Sequence, residues 1–309
     1  MNSPTTHNSV LQHEAVTTGN AISESDSHHE DWTLVIKPQE SLFSLRLNEI
    51  WRYRDLLMLF VRRDFVAFYK QTILGPLWYV LQPLMMTVVF TLIFSKIAKI
   101  STDTTPPILF YLAGITLWAY FSEALTKISD TFFANQQLFG KVYFPRILVP
   151  LSIVISGLIK LTIQFSVFIA MTIFFIWFRD VPLRINAYAL LFPVLILILA
   201  MLSLGFGMII SAMTSKYRDL KFALSFGVQL WMYASPVVYP MSLIGGGKWK
   251  YLIWLNPVSP ILECFKLAFL GDGTFYWGHL AYSAAFASVL LVAATVIFNR
   301  VERTFMDTV

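Results

Sequence analysis

Residues 71–95 read QTILGPLWYVLQPLMMTVVFTLIFS, 25 consecutive positions from Gln71 to Ser95 without an Asp, Glu, Lys or Arg. A helix that crosses a bilayer needs about 20 mostly apolar residues, and this window supplies them. Five further windows of the same kind follow: Thr104 to Ser122, Ile147 to Phe178 (interrupted only by Lys160), Ile185 to Ser215, Phe222 to Gly247 and Gly273 to Asn299. The chain is 57% hydrophobic and 13% charged, with a mean hydropathy of +0.64. An ordinary soluble domain is about 45–50% apolar and about 25% charged. These values exclude a soluble enzyme, a disordered chain and a fibre. The net charge of +5 does not point to nucleic acid, and the single Cys264 excludes an intrachain disulfide and a cysteine-based metal cluster.

The expected fold is an all-α polytopic membrane protein with six transmembrane helices. A seventh apolar piece, Tyr251 to Leu262, is too short to cross and borders Asn256-Pro257 and Pro260. It reads as a re-entrant element, giving short re-entrant periplasmic helices between spans five and six. Six spans put both termini on one side. With that side inside, fifteen of the 23 basic residues fall inside, seven fall outside and Lys160 lies within a span. The bias places both termini in the cytoplasm. No apolar run occurs between Met1 and Asp31, so no cleavable signal peptide is expected.

Before the first span, residues 49–70 carry a helical period. Ile50, Tyr53, Leu57, Phe60, Val61, Phe65 and Phe68 share one face. Arg52, Asp55, Arg62, Arg63 and Lys70 lie opposite, and Arg54 and Asp64 break the pattern. This predicts an N-terminal amphipathic interface helix, either a simple anchor or a docking surface for a cytoplasmic partner. Gly75-Pro76 then turns the chain into the membrane. The organisation is therefore a flexible polar cytoplasmic tail over 1–31, a cytoplasmic segment with the interface helix over 32–75, and a six-span domain over 76–309. A short strand is expected over Asp31 to Ile36. No internal repeat supports an inverted-repeat transporter.

Little catalytic chemistry is present. Gly245-Gly246-Gly247-Lys248-Trp249 lacks the spacing and the Ser/Thr of a phosphate-binding loop, and no loop has room for a nucleotide-binding domain. The spans are almost empty of the ionisable groups that couple ions in secondary transporters. Lys160 is the exception, read as a pore contact or, with more weight, as a helix-packing or snorkelling contact. Glu123 and Glu263 are expected to be solvated near span edges. Four of the five histidines lie in the polar tail and His279 stands alone, so no acid–base constellation and no metal site is expected.

The aromatic content, 16%, is high. Interfacial belts account for many of these rings. Trp78, Tyr79, Phe90 and Phe94 in span one, and Phe226, Trp231, Tyr233 and Tyr239 in span five, run through the membrane depth instead. Such rings suit a channel for a sliding polymer, because stacking demands no single register. Two cytoplasmic loops also stand out, residues 132–146 and 214–221. Each reads as a short helix against a partner or as an ordinary positive-inside loop.

Arg62-Arg63-Asp64-Phe65 and the run from Tyr69 to Pro83, YKQTILGPLWYVLQP, resemble the permease subunit of O-antigen and related polysaccharide ABC exporters. Phe139-Gly140-Lys141-Val142-Tyr143-Phe144-Pro145-Arg146 and Lys216-Tyr217-Arg218-Asp219-Leu220 are similar to its two cytoplasmic loops, and Asn256-Pro257 to a motif after its fifth span. The resemblance covers residues 32–305. It implies a homodimer that binds two copies of a separate ABC ATPase, in the bacterial inner membrane. ATP and Mg would sit on that partner, with no cofactor on this chain and no enzyme activity of its own. Asn135, Gln136, Gln137, Leu138, Phe139 and Gly140, with Lys216, Arg218 and Asp219, would couple to the ATPase. The eight aromatics of spans one and five would line the channel, and Ile244 to Gly271 would form short helices at the periplasmic exit. The cargo would be an undecaprenyl-diphosphate-linked glycan. Arg52, Arg62, Arg63 and Lys70 could attract its diphosphate, or equally anionic headgroups. Competing readings are a permease of the same superfamily for a small amphiphile, a capsule or teichoic-acid exporter, and a membrane-bound glycan-modifying enzyme.

Overall fold

The computed structural model describes residues 47–70, 72–179, 181, 185–217, 219–245 and 247–306. The polar tail, the strand over Asp31 to Ile36 and Arg218 lie outside these residues. All regular structure among the described residues is helical. In chain order the α-helices are α1 (Leu47–Arg52), α2 (Arg54–Lys70), α3 (Trp78–Phe90), α4 (Pro107–Ser129), α5 (Thr131–Ala134), α6 (Gln136–Phe139), α7 (Leu148–Arg179), α8 (Phe192–Thr214), α9 (Leu220–Tyr233), α10 (Lys248–Leu255), α11 (Ser259–Leu270) and α12 (Trp277–Met306).

Five helical stretches are long and apolar enough to cross a membrane: Gly75–Ile97, Pro107–Ser129, Leu148–Arg179, Ala187–Thr214 and Trp277–Glu302. The first begins where Gly75 adopts φ 52°, a left-handed conformation that glycine takes without a Cβ penalty. Gly75–Leu77 forms a 3-10 turn, α3 follows, and a π-helical stretch, Thr91–Ile97, completes it. Pro107, Pro193 and Pro260 stand in the first turns of α4, α8 and α11, where their missing N–H costs nothing.

α4 is the central helix. Of its spanning window 78% is buried, against 22–39% for the other four. α8 lies between α4 and α12 at very short range. A Cβ on Gly207 would stand 2.6 Å from Cβ of Ile128 on α4, and one on Gly205 2.8 Å from Cγ of Leu290 on α12. Small residues at helix contacts let backbones approach where lipid supplies no hydrophobic drive.

Both described ends of the chain meet at one end of the bundle, beside α5 and α6. The Phe132 ring stacks on Phe298 of α12 at 4.7 Å, and Phe60 of α2 packs on Phe144 at 5.5 Å. Helix α2 buries Leu57, Phe60 and Val61, with Phe65 half-buried and Arg54, Asp55, Arg62, Arg63 and Lys70 exposed; before it, Ile50 and Tyr53 are half-buried and Arg52 is exposed. These buried and half-buried apolar residues all belong to the expected apolar face, of which the Phe68 side chain lies outside the described residues.

The fifth expected span, Phe222 to Gly247, is where the structure departs from expectation. Its helix, α9, has 14 residues. At 1.5 Å per residue that is about 21 Å, short of a 30 Å hydrocarbon core. Pro236 and Pro240 stop the helix by removing main-chain donors, and residues 234–240 continue as irregular backbone. The short apolar piece after it is two helices, α10 and α11, broken at Asn256-Pro257. Asn256 turns the chain by accepting the Val258 N–H at 3.1 Å. Gly271, at φ 82°, ends α11 in a left-handed cap.

Candidate functional site

The loop after α4 is built around an aromatic anchor. Phe139 is buried and meets Phe132 at 6.1 Å and Phe144 at 5.8 Å, while the Arg146 guanidinium lies 4.9 Å from its ring centroid. Arg146 is itself buried and donates to the Glu302 carbonyl at 3.4 Å. Burial pulls its pKa below the ordinary value, against the raising influence of Glu302. Within the expected coupling set, Phe139 therefore holds the loop to its own chain. Gln136, Gln137 and Gly140 are exposed, and Asn135 and Leu138 are half-buried. Lys216 and Asp219 of the second loop are also exposed, beside the described end of α8. The Thr214 hydroxyl ties that end to the Ser129 carbonyl of α4 at 2.7 Å.

The eight expected channel aromatics divide into two groups. Tyr79 and Phe90 are buried inside the protomer, and Phe94, Trp231 and Tyr239 are half-buried against its core. Trp231 meets Phe121 at 5.1 Å and Phe206 at 5.2 Å, edge to face, and donates its indole N–H to Asn256 Oδ1 at 3.1 Å. The ring is therefore held against α4 and α8. Trp78, Phe226 and Tyr233 are exposed. The exposed face of α9 also carries Phe222, Ser225, Gln229 and Leu230. Rings and hydrogen-bonding groups alternate along it. A glutamine aimed at lipid is costly.

Irregular backbone at membrane depth is tolerated only where protein buries and satisfies it. Residues 235–238 meet that condition through α11. Lys266 donates to the Pro236 carbonyl, lies 3.9 Å from the Phe110 ring centroid and pairs with Glu263 at 3.4 Å. Glu263 accepts the Thr274 N–H at 3.2 Å. Asn256 donates to Ser235 Oγ at 2.8 Å. Glu263 and Lys266 are each 1% exposed, so the expectation that Glu263 is solvated fails. Its carboxylate is needed inside, to balance a cation that satisfies a broken helix. The paired prolines 236 and 240 are the sequence signal for this segment, and a count of apolar residues ignores them.

Lys160 makes a packing contact. It pairs with Glu123 of α4 at 2.5 Å, and Glu123 also holds Lys127 at 2.9 Å. Glu123 is thus doubly paired and half-buried, in place of the solvation expected at a span edge. The expected diphosphate-binding residues, Arg52 at the end of α1 and Arg62, Arg63 and Lys70 on α2, are all exposed, and Arg63 binds Asp64 at 2.9 Å and lies over the Phe60 ring. Among the described residues no three His, Cys, Asp or Glu side chains come together as a metal-ligand group.

A sequence model described as the ABC-2 type transporter matches residues 55–270. The O-antigen export system permease protein RfbA of Myxococcus xanthus is 28% identical over 264 residues, covering 85% of this chain and 98% of its own length. A protein of the same name from Klebsiella pneumoniae is 26% identical, covering 82% and 94%. The polysialic acid transport protein KpsM of Escherichia coli is 24% identical, covering 75% and 88%.

Proposed function

This chain belongs to the ABC-2 type transporter family, and on that premise we propose that it is the channel subunit of an ATP-driven exporter moving an undecaprenyl-linked, O-antigen-type polysaccharide from cytoplasm to periplasm. The observation that carries the reading is the uncovered face of α9. It presents Phe222, Phe226 and Tyr233 interleaved with Ser225 and Gln229, a surface for sugar rings and their hydroxyls. A second copy of the chain facing this stripe would enclose it, with Trp78 at the cytoplasmic mouth.

Six crossings fit better than five. The segment after α8 bonds the chain on either side of α4: Lys221 bonds Asp130, just past its last residue, at 2.7 Å, and Ser242 bonds Asp103, in the loop that precedes it, at 2.7 Å. α9 and the irregular residues after it therefore traverse the same thickness as a spanning helix. An even count agrees with α2 and the end of α12 meeting at one end, and the charge bias makes that end cytoplasmic. α2 would lie in the membrane plane there. α10 and α11 would form the periplasmic exit.

ATP and Mg would bind a separate ATPase dimer. Gln136, Gln137 and Gly140, with Lys216 and Asp219, would meet it, on a loop anchored through Phe139; their exposure supports this reading. Closure of that dimer would push the loop and, through α2 and α4, the channel. A capsule-type glycan is the second cargo, favoured by the similarity to the polysialic acid transport protein. The test is a deletion strain. Long lipid-linked glycan accumulating inside, with surface polysaccharide lost, is the expected result, and sugar analysis of the backlog separates the two cargoes. Normal surface glycan with no backlog would reject polymer export.

A further inference from the structure

Between α2, α3, α4 and α7 lies a polar recess that the export reading does not use. Tyr79, Tyr120, Glu123, Lys127, Lys160 and Gln164 form its wall. Glu123 holds both lysines, so one carboxylate is shared by two ammonium groups and the trio carries one net positive charge. The other acid on the wall, Asp64, is matched by Arg63 at 2.9 Å. Each ammonium has three donors and gives one to Glu123, which leaves donors for a further acceptor.

A second observation is independent of the charges. Tyr120 is 4% exposed, lines the recess, and its hydroxyl has no hydrogen-bond partner among the described residues. Buried hydroxyls are nearly always bonded, so an orphan calls for an unseen partner. Gly157 keeps this ring seated: a Cβ there would stand 3.1 Å from it. A helix-to-helix ion pair alone would explain Glu123 and Lys160, but neither the surplus charge nor the orphan hydroxyl.

The depth also matters. Glu123 lies six residues before Ser129, the last residue of α4, about 9 Å along a helix. Interfacial helices such as α2 sit about 5–10 Å into the headgroup and acyl boundary. Basic pockets between spanning helices near the cytoplasmic face take anionic headgroups. Phe65 and Ile153, both half-buried, add an apolar rim on which a chain can lie.

We propose that this recess binds the phosphate of a phosphate-bearing lipid, with Lys127 and Lys160 as charge partners and the Tyr120 hydroxyl as a donor. Glu123 is the internal counterion that holds the lysines when the recess is empty. The inference rests on the membrane placement of α2 to α7 but not on the cargo, and its readout is retained lipid rather than export.

The full-length chain is purified in mild detergent and examined by native mass spectrometry, before and after incubation with phosphatidylglycerol, undecaprenyl phosphate or inorganic pyrophosphate. The wild-type chain should retain a phosphate lipid. Tyr120→Phe and Lys160→Gln should each lower retention several-fold, and Glu123→Gln should raise it by releasing two ammonium groups. Tyr120→Phe leaves the ion pair intact, so it tests the site even where Lys160→Gln folds poorly. Competition between the two lipids then identifies which one supplies the phosphate. No lipid on the wild-type chain, equal retention in Tyr120→Phe and wild type, or binding of pyrophosphate with no lipid retained would overturn the proposal.

Discussion

The side-chain amide of Gln164 on α7 donates to the main-chain carbonyl of Tyr79 on α3 at 3.3 Å, and Gln164 is buried. The carbonyl is available because Pro83, four residues on, has no N–H to fill it. A proline inside a spanning helix is tolerated when a neighbour satisfies the freed carbonyl. The two residues are thus coupled through a bond that α3 cannot make for itself. Gln164→Leu should cost roughly 0.6 kcal/mol, the average for hydrogen bonds between membrane helices, and at most about 1.7 kcal/mol. In a Pro83→Ala background the same change should cost much less, because the alanine restores a main-chain N–H that fills the carbonyl. Unfolding in detergent across the four-variant cycle measures this. Equal losses in both backgrounds would show that the amide serves something other than the proline.

Phe139 separates anchoring from docking. Phe139→Asp buries a carboxylate among Phe132, Phe144 and the start of α7 and should unfold the chain locally, at a cost of several kcal/mol. Gln137→Asp changes an exposed position and should leave the melting temperature of the purified chain essentially unchanged. It should still weaken co-purification of the ATPase. A Gln137→Asp chain that binds the ATPase normally would remove the tip of this loop from the contact.

The aromatic set makes a parallel contrast. Tyr233→Ala and Phe226→Ala remove exposed rings and should reduce surface glycan with little loss of stability. Trp231→Ala opens a cavity between α4, α8 and α9 and should cost about 3–5 kcal/mol. Thermal unfolding and surface-glycan assays on the same variants separate the two effects. Stable Tyr233→Ala and Phe226→Ala chains with full export would exclude the α9 stripe as the sugar path.

Hydropathy makes much of this legible. Five of the six apolar windows are long helices, and the face of α2 read from its period is the buried one. What hydropathy misses has a common cause. Counting apolar residues treats Phe222 to Gly247 like any other window, but only backbone hydrogen bonding decides whether a window is helical, and Pro236 and Pro240 break that bonding. Glu263 reads as solvated because carboxylates usually are. Its partner Lys266 is one turn along α11, yet burial of the pair depends on the Pro236 carbonyl 30 residues earlier. Aromatic depth along a span likewise does not give direction. Trp231 and Tyr233 are two residues apart, and one is packed against the core while the other is exposed.

The Lys266 cluster yields the last prediction. Removing one member of a buried ion pair strands the other charge and typically costs about 3–5 kcal/mol. Lys266→Met should be at least that severe, because it also deprives the Pro236 carbonyl of its donor. Glu263→Gln keeps an oxygen for the Thr274 N–H and should cost less. The double variant Glu263→Gln/Lys266→Met removes both charges and should therefore be more stable than Lys266→Met alone, although the carbonyl is still unfilled. Denaturant unfolding of the three variants gives the coupling. A double variant as unstable as the sum of the singles would mean that the two charges do not stabilise one another, and that Lys266 acts only on the broken backbone after α9.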